Sequence, residues 1–267
     1  MRVLLSVAYD GSAYHGWQLQ PNGLTIEEVL NKNISELLGE DIQVEGASRT
    51  DAGVHALCNL AVFDTKTRIP ADKLSYAINQ RLPEDIVVTG SRQVPPDFHP
   101  RYVKTEKTYE YRIWNDRFAN PLLERQSFFC FYELDLEKMQ RAADYLIGQH
   151  DFASFCSVGS QAESTIREIT AIAVKRDAAL CCGIRPSMGL EGGSLVTIRV
   201  SGYGFLYNMV RIIAGTLLEV GKGKIEPEEV EHILSGRDRA LAGPTAPAKG
   251  LVLADYRICE GLYDIEN

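Results

Sequence analysis

No window of this chain approaches the roughly 18 consecutive apolar residues that a membrane-spanning helix requires. The opening Met1-Arg2-Val3-Leu4-Leu5 runs straight into an alternating strand pattern, with no apolar block of the kind that directs secretion. A membrane protein is thereby excluded, and a cytoplasmic location is expected. Paired cysteine motifs are missing as well. The thiols Cys58, Cys130, Cys156, Cys181, Cys182 and Cys259 form no Cys-x-x-Cys pair and have no histidine spacing of the zinc type, so neither a disulfide scaffold nor a metal site is expected. Only the adjacent Cys181 and Cys182 leave a redox role open. Positive charge is in deficit: 28 Lys and Arg against 36 Asp and Glu leave a formal charge of −8 and a pI near 5.2. That excludes a general basic coat binding phosphates everywhere, so any RNA-binding surface has to concentrate its cations. Arg101, Lys104, Lys107 and Arg112 do fall close together, whereas Glu226, Glu228, Glu229 and Glu231 cluster elsewhere. Low-complexity segments and short-period repeats are absent.

What is present is enough apolar material, 45% of 267 residues, for one large core or two ordinary ones. Residues 2–9 read as a strand, followed by a turn at Asp10-Gly11-Ser12 and a loop carrying Tyr14, His15, Gly16, Trp17 and Gln18. Thr25 and Glu28 have capping-box spacing, and Ile26, Val29, Leu30, Ile34, Leu37 and Leu38 continue a helical stripe that Gly39 stops. Strands are predicted at 42–45 and 57–64, a helix from Pro70 to about Leu82, and a strand at 86–89. The order is β-α-β-β-α-β, the ferredoxin-like pattern, and Pro95-Pro96 marks a boundary. The remainder repeats the theme less regularly: strands at 108–114, 166–175, 195–200 and 251–258, helices at 136–147 and 205–220, and an acidic helix from Pro227. The expected fold is therefore α+β, two ferredoxin-like halves with mainly antiparallel sheets flanking a central active-site cleft, divided as residues 1–103 and 104–267. The 177–193 connection is longer than most hairpin loops.

Two segments look chemically occupied. Gly46-Ala47-Ser48-Arg49-Thr50-Asp51-Ala52-Gly53-Val54-His55-Ala56 sets a guanidinium and a carboxylate two residues apart between strand-like runs, with glycines that permit a tight turn. An Arg-x-Asp alone would be an ordinary surface pair. Arg211 sits among Met209-Val210 and Ile212-Ile213-Ala214-Gly215, where an unpaired buried cation is costly. Glu219 stands eight residues further on, too far along the helix to reach it easily, which leaves Asp51 as the more interesting candidate partner. On the strand Lys107-Thr108-Tyr109-Glu110-Tyr111-Arg112, alternation places Lys107, Tyr109 and Tyr111 on one face. Tyr109 in a pocket could stack on a base and exchange a proton.

Together with Tyr9-Asp10-Gly11, Gly16-Trp17-Gln18, Asp97-Phe98-His99 with Arg101, Asp151-Phe152-Ala153-Ser154-Phe155 and Ala246-Pro247-Ala248-Lys249-Gly250-Leu251, these segments form an ordered set that resembles the tRNA pseudouridine synthase A family over nearly the whole chain. The resemblance implies the pseudouridine synthase fold and isomerisation of uridine to pseudouridine at positions 38, 39 and 40 of the tRNA anticodon stem-loop, without cofactor or metal, by a homodimer. It implies Asp51 as the essential catalytic carboxylate, Tyr109 as the tyrosine stacked on the target uracil, and Arg211 as the partner of the carboxylate. It also implies that Arg49 and Leu251 shape the loop and pocket. Arg101, Lys104, Lys107, Arg167 and Lys175 are candidate phosphate contacts. Ser48 departs from the glycine common at that position, Tyr207-Asn208 stands where histidines are frequent, and the 177–193 connection is longer than usual. Two other classes compete: a non-catalytic RNA-binding module on the same scaffold, and an N-glycosidase-like hydrolase, which a second acidic residue facing Asp51 would favour.

Overall fold

In the computed structural model, residues 1–177 and 193–259 are described, so the 178–192 stretch, most of the long connection and both Cys181 and Cys182 lie outside the description. Two compact units emerge, one made of Met1–Thr105 with the chain from Leu253 onward, the other of Glu106–Val252.

The first unit is built on β1 (Arg2–Tyr9), which pairs antiparallel with β3 (His55–Asp64) on one side and β4 (Ile86–Val94) on the other. The short β2 (Glu45–Gly46) and the strand β10 (Leu251–Ile258) also neighbour β3. Helices α1 (Ile26–Leu38) and α2 (Leu74–Asn79) complete the β-α-β-β-α-β order. Helix α1 begins as its sequence predicts: Thr25 accepts a hydrogen bond from the Glu28 amide at 3.3 Å, and Gly39 closes the helix in the left-handed region. Its apolar stripe, Ile26, Leu30 and Ile34, is fully buried alongside Val3, Leu5 and Val7 of β1.

Two expectations contract. The predicted strand at 42–45 reduces to Glu45–Gly46, because the Ile42 amide donates to Ser35 Oγ (2.9 Å) and the Val44 amide to Asn31 Oδ1 (2.7 Å). Side chains of α1 thus take the place of a partner strand. The helix predicted from Pro70 to Leu82 becomes a 3-10 turn, Ala71–Lys73, followed by α2 alone.

In the second unit β5 (Thr105–Asn115) pairs antiparallel with β9 (Ser194–Tyr203), which continues to β8 (Ile166–Asp177) and then to β7 (Gly148–Asp151). A short β6 (Phe128–Cys130) joins β5 in parallel. Helix α3 (Leu136–Asp144), capped by Asp135, packs on α4 (Met209–Gly221), and α5 (Glu229–Gly236) follows. Neither β6 nor β7 is foreshadowed by its pattern, and α3 ends before Gly148, which opens β7 instead of stopping the helix.

Helix α4 starts four residues later than its apolar run suggests. Gly204 (φ +78°) and Asn208 (φ +60°) are both left-handed, and neither conformation can continue a right-handed helix. The buried helix also touches its surroundings backbone to backbone. A Cβ on Gly215 would lie 1.7 Å from Pro244 O, and Thr216 Oγ1 accepts the Gly243 amide at 3.0 Å.

The Thr25 cap is buried, so Thr25→Ala should cost about 1 kcal/mol of stability. A lowered urea midpoint with an unchanged denaturant slope is the expected reading; an unchanged midpoint contradicts the assignment.

Candidate active site

The Asp51 loop joins β2 to β3 and is held on a second loop, residues 10–17. The Trp17 amide donates to Thr50 O (3.1 Å), and the Gly53 amide to Tyr14 O (3.2 Å). Between these two anchors the Val54 amide closes a turn onto Asp51 O at 3.1 Å, with Gly53 at φ +76°. Gly16, at φ +86°, packs so closely that a Cβ there would sit 2.5 Å from Thr50 O. Trp17, 1% exposed, lies directly on Gly46, where β2 ends and the loop begins. Asp51 itself is half-buried.

A buried polar group backs the loop. Asn59 donates from Nδ2 to Ser48 O (2.9 Å) and to Tyr9 Oη (3.3 Å), and accepts the Ser48 amide on Oδ1 (3.2 Å). Tyr9 Oη lies 2.7 Å from Thr50 Oγ1. Burial raises the Tyr9 phenol well above its ordinary value, against the opposing hydrogen bonds of Thr50 and Asn59, so the group stays protonated. Asn59 donates to the phenol oxygen, and Thr50 Oγ1 shares a hydrogen bond with it. His55 Nδ1 stands 3.1 Å from both the Gly11 amide and Asp10 Oδ1, and Tyr14 Oη donates to Asp85 at 2.7 Å. Ser48 sits at negative φ without backbone strain: among the described residues only Asn208 and Arg237 are non-glycines at positive φ.

In the second unit, Tyr109 and Arg211 each have partners among residues 205–208. Tyr109 lies opposite Val200 in the β5/β9 register and meets the ring of Phe205 edge-on at 5.1 Å. Three residues on, Asn208 takes its left-handed conformation, donates to Ser157 Oγ (3.0 Å) and accepts Arg211 Nη1 (2.7 Å). Arg211 Nε donates to Ala246 O at 2.8 Å, and Ala246 N returns a bond to Arg211 O at 3.0 Å. Tyr111, two residues along the same face from Tyr109, donates to Pro247 O at 2.9 Å. Burial raises its phenol, with the nearby Arg211 charge opposing. Neutral acceptors thus orient the Arg211 guanidinium, and Arg211 falls in the first turn of α4. Glu219 belongs to other partners, Lys222 at 2.9 Å and Lys224 at 2.8 Å. Burial pushes its carboxyl up, but hydrogen bonds and charge from these lysines outweigh that and hold it below the usual range.

The remaining candidates divide. Arg49 and Lys104 are exposed, and Arg101 is exposed with its Nε bonded to Gly46 O at 2.7 Å, at the base of the Asp51 loop. Lys107 is half-buried opposite Gly202, Lys175 is exposed on β8, and Leu251 is buried at the start of β10. Arg167 is half-buried, with Nη1 donating to Ser164 O (2.9 Å) and Ile166 O (2.6 Å), which commits this group to the local backbone. Sequence reasoning missed Asn59, Asn208 and the Ala246 and Pro247 carbonyls. Asn59 left a sign: it is a lone amide inside the otherwise apolar run 56–63, where a polar side chain must find partners. Among the described residues no cluster of three or more His, Cys, Asp or Glu could hold a metal ion, and no helix is long and apolar enough to cross a membrane.

Each unit thus holds one fixed polar feature, a doubly anchored carboxylate loop in the first and an oriented arginine in the second. The family described as tRNA pseudouridine synthase matches residues 5–103 and 142–257. The chain belongs to this family. Relatives named tRNA pseudouridine synthase A include that of Ruminiclostridium cellulolyticum, 47% identical across 94% of this chain and 97% of its own length. Those of Acetivibrio thermocellus (45% identical, 95% and 98% covered) and of a Thermoanaerobacter species (45%, 94% and 97%) are similar over the same extent.

Removing the Tyr9 hydroxyl takes a buried partner from Thr50 Oγ1 and one of the two acceptors of Asn59 Nδ2. Tyr9→Phe should therefore destabilise the protein by about 1–3 kcal/mol and speed amide exchange at residues 48–50. Unaltered exchange there would show that the network does not hold the loop.

Proposed function

We propose that this protein isomerises uridine to pseudouridine at positions 38, 39 and 40 of the tRNA anticodon stem-loop, with Asp51 as the essential catalytic carboxylate. The reaction breaks the glycosidic bond from the sugar C1′ to N1 of uracil and joins C1′ to C5. The proton lost from C5 is balanced by one gained at N1, so the step needs no redox partner and no cofactor. An ionised Asp51 can serve it by attacking C1′, by deprotonating the sugar or by adding to the ring. Arg211 is the proposed countercharge, since a cation beside a carboxylate favours its ionised form. Tyr109 stacks on the uracil and is the proposed base for the C5 proton. A base in a stem or loop has to leave its stack to be reached, and aromatic stacking offsets that cost.

In this reading residues 1–103 carry the carboxylate loop and residues 104–267 carry Tyr109 and Arg211, each half ferredoxin-like. Arg49 and Leu251 shape the loop and pocket. Arg101, Lys104, Lys107 and Lys175 hold phosphates, with Arg167 a weaker candidate because its Nη1 is bonded to the backbone. The protein acts in the cytoplasm as a homodimer on the anticodon arm. The observation that carries the proposal is the anchoring of Thr50 and Gly53 on either side of Asp51, in a chain of the pseudouridine synthase family. Such anchoring pre-pays the positioning of a catalytic group.

Asp51→Asn should lower the single-turnover rate by about 10⁴-fold or more, while tRNA affinity changes less than about threefold, or roughly 0.7 kcal/mol. Retained turnover would refute the role of Asp51. Mapping of pseudouridine in cells lacking the protein should show loss at positions 38–40; intact modification there would refute the substrate assignment, and release of free uracil in vitro would instead mark a hydrolase.

A further inference from the structure

Tyr102 is 86% exposed, an unusual position for a tyrosine on a well-anchored turn. Its ring leans on His99, with centroids 4.6 Å apart and planes 37° from parallel. His99 is itself fixed through both nitrogens. Nδ1 accepts the Arg101 amide at 3.1 Å, which assigns the ring hydrogen to Nε2 and makes Nε2 the donor to Glu45 Oε2 at 2.7 Å. The turn is pinned along its length: Phe98 is buried, Arg2 Nε donates to Phe98 O (2.7 Å), Tyr256 Oη to Pro100 O (3.3 Å), and Arg101 Nε to Gly46 O (2.7 Å). Gly46 is where the chain enters the Asp51 loop. The Tyr102 ring thus has His99 on one side and is otherwise open to solvent, and its near neighbours in sequence, Arg101 and Lys104, are exposed as well.

Aromatic surface supported from behind and flanked by cations, on a chain whose overall charge is −8, has the composition of a nucleic-acid stacking platform. We propose that Tyr102 stacks on an unpaired nucleobase of the tRNA other than the target uridine, with the adjoining phosphates beside Arg101 and Lys104. The partner is RNA and not a second copy of the chain, because the flanking charges complement phosphate. This inference rests on the proposed function for its substrate, and it assigns Tyr102 to binding rather than to the chemical step. Flipping one nucleotide disrupts the stacking of its neighbours, and a rigid platform anchored at the base of the catalytic loop offers such a neighbour a new stacking partner.

The test compares wild type with Tyr102→Ala, Tyr102→Phe, Tyr102→Trp and Lys104→Ala, using full-length tRNA and an isolated anticodon stem-loop. Tyr102→Ala should weaken binding about tenfold, the scale of one base–aromatic stack, without changing the salt dependence of affinity or the rate at saturating RNA. Phe and Trp should bind within about twofold of wild type, since both retain a stacking face. Lys104→Ala should instead flatten the salt dependence. Wild-type affinity in Tyr102→Ala overturns the proposal, as does an equal loss in Tyr102→Phe, which would point to the hydroxyl. Altered oligomeric state in Tyr102→Ala without loss of RNA affinity overturns it in favour of a protein contact. A wild type that binds RNA through Tyr102 but forms no pseudouridine refutes the proposed function and leaves the stacking intact; turnover with no Tyr102 dependence does the reverse.

Discussion

The contact on which the order of the Asp51 loop depends is the seating of Gly16 and Trp17 against Thr50. It is a backbone contact, Trp17 N to Thr50 O, made possible because Gly16 has no side chain and takes a φ that other residues rarely adopt. With the second anchor from Gly53 to Tyr14, it places Asp51 between two fixed points, so the carboxylate loop behaves as part of the core and not as a surface excursion. The Tyr9, Asn59 and Ser48 hydrogen bonds repeat the constraint from the opposite side. The atoms joined in these bonds are buried and paired, whereas Ser48 Oγ and the neighbouring Trp17 Nε1 are buried with no hydrogen-bond partner among the described residues.

The second unit solves a different problem, the direction of a cation. A guanidinium is a planar fork, and fixing Nε and Nη1 fixes the plane. Ala246 O and Asn208 Oδ1 do this, and both are neutral. Asn208 can take part because it accepts the left-handed conformation more readily than most residues, and that same conformation sets where α4 begins. The helix start and the arginine's direction therefore share one cause.

Much of this was legible in the residues. Strand β1, helix α1 with its cap and stop, and the dense Arg49–His55 segment follow from local rules, because alternation, capping and glycine each act over a few residues. The misreadings have physical causes that residue pattern does not show. Ile42 and Val44 look like a strand, yet their amides bond to helix side chains. Phe205 to Asn208 look helical in composition, yet two left-handed residues delay the helix. The three-residue β6 is shorter than any periodicity can reveal. Of the candidate site, Asp51, Tyr109 and Arg211 could be singled out as candidates from residue type and motif. The carbonyl of Ala246 could not, since a backbone acceptor leaves no mark on the sequence.

The first unit is not contiguous in the chain. Its strand β3 neighbours β10, and the part of β10 belonging to this unit begins only at Leu253. During synthesis the carboxylate loop is made early, but the sheet that carries it lacks its β10 neighbour until all of Glu106–Val252 has been made. Open edges invite pairing with other chains, and closing one across so many intervening residues adds slow, long-range steps to folding. The unit that is started first is therefore finished last, and a nascent chain halted within the second unit would leave the ribosome with the Asp51-bearing sheet unsealed.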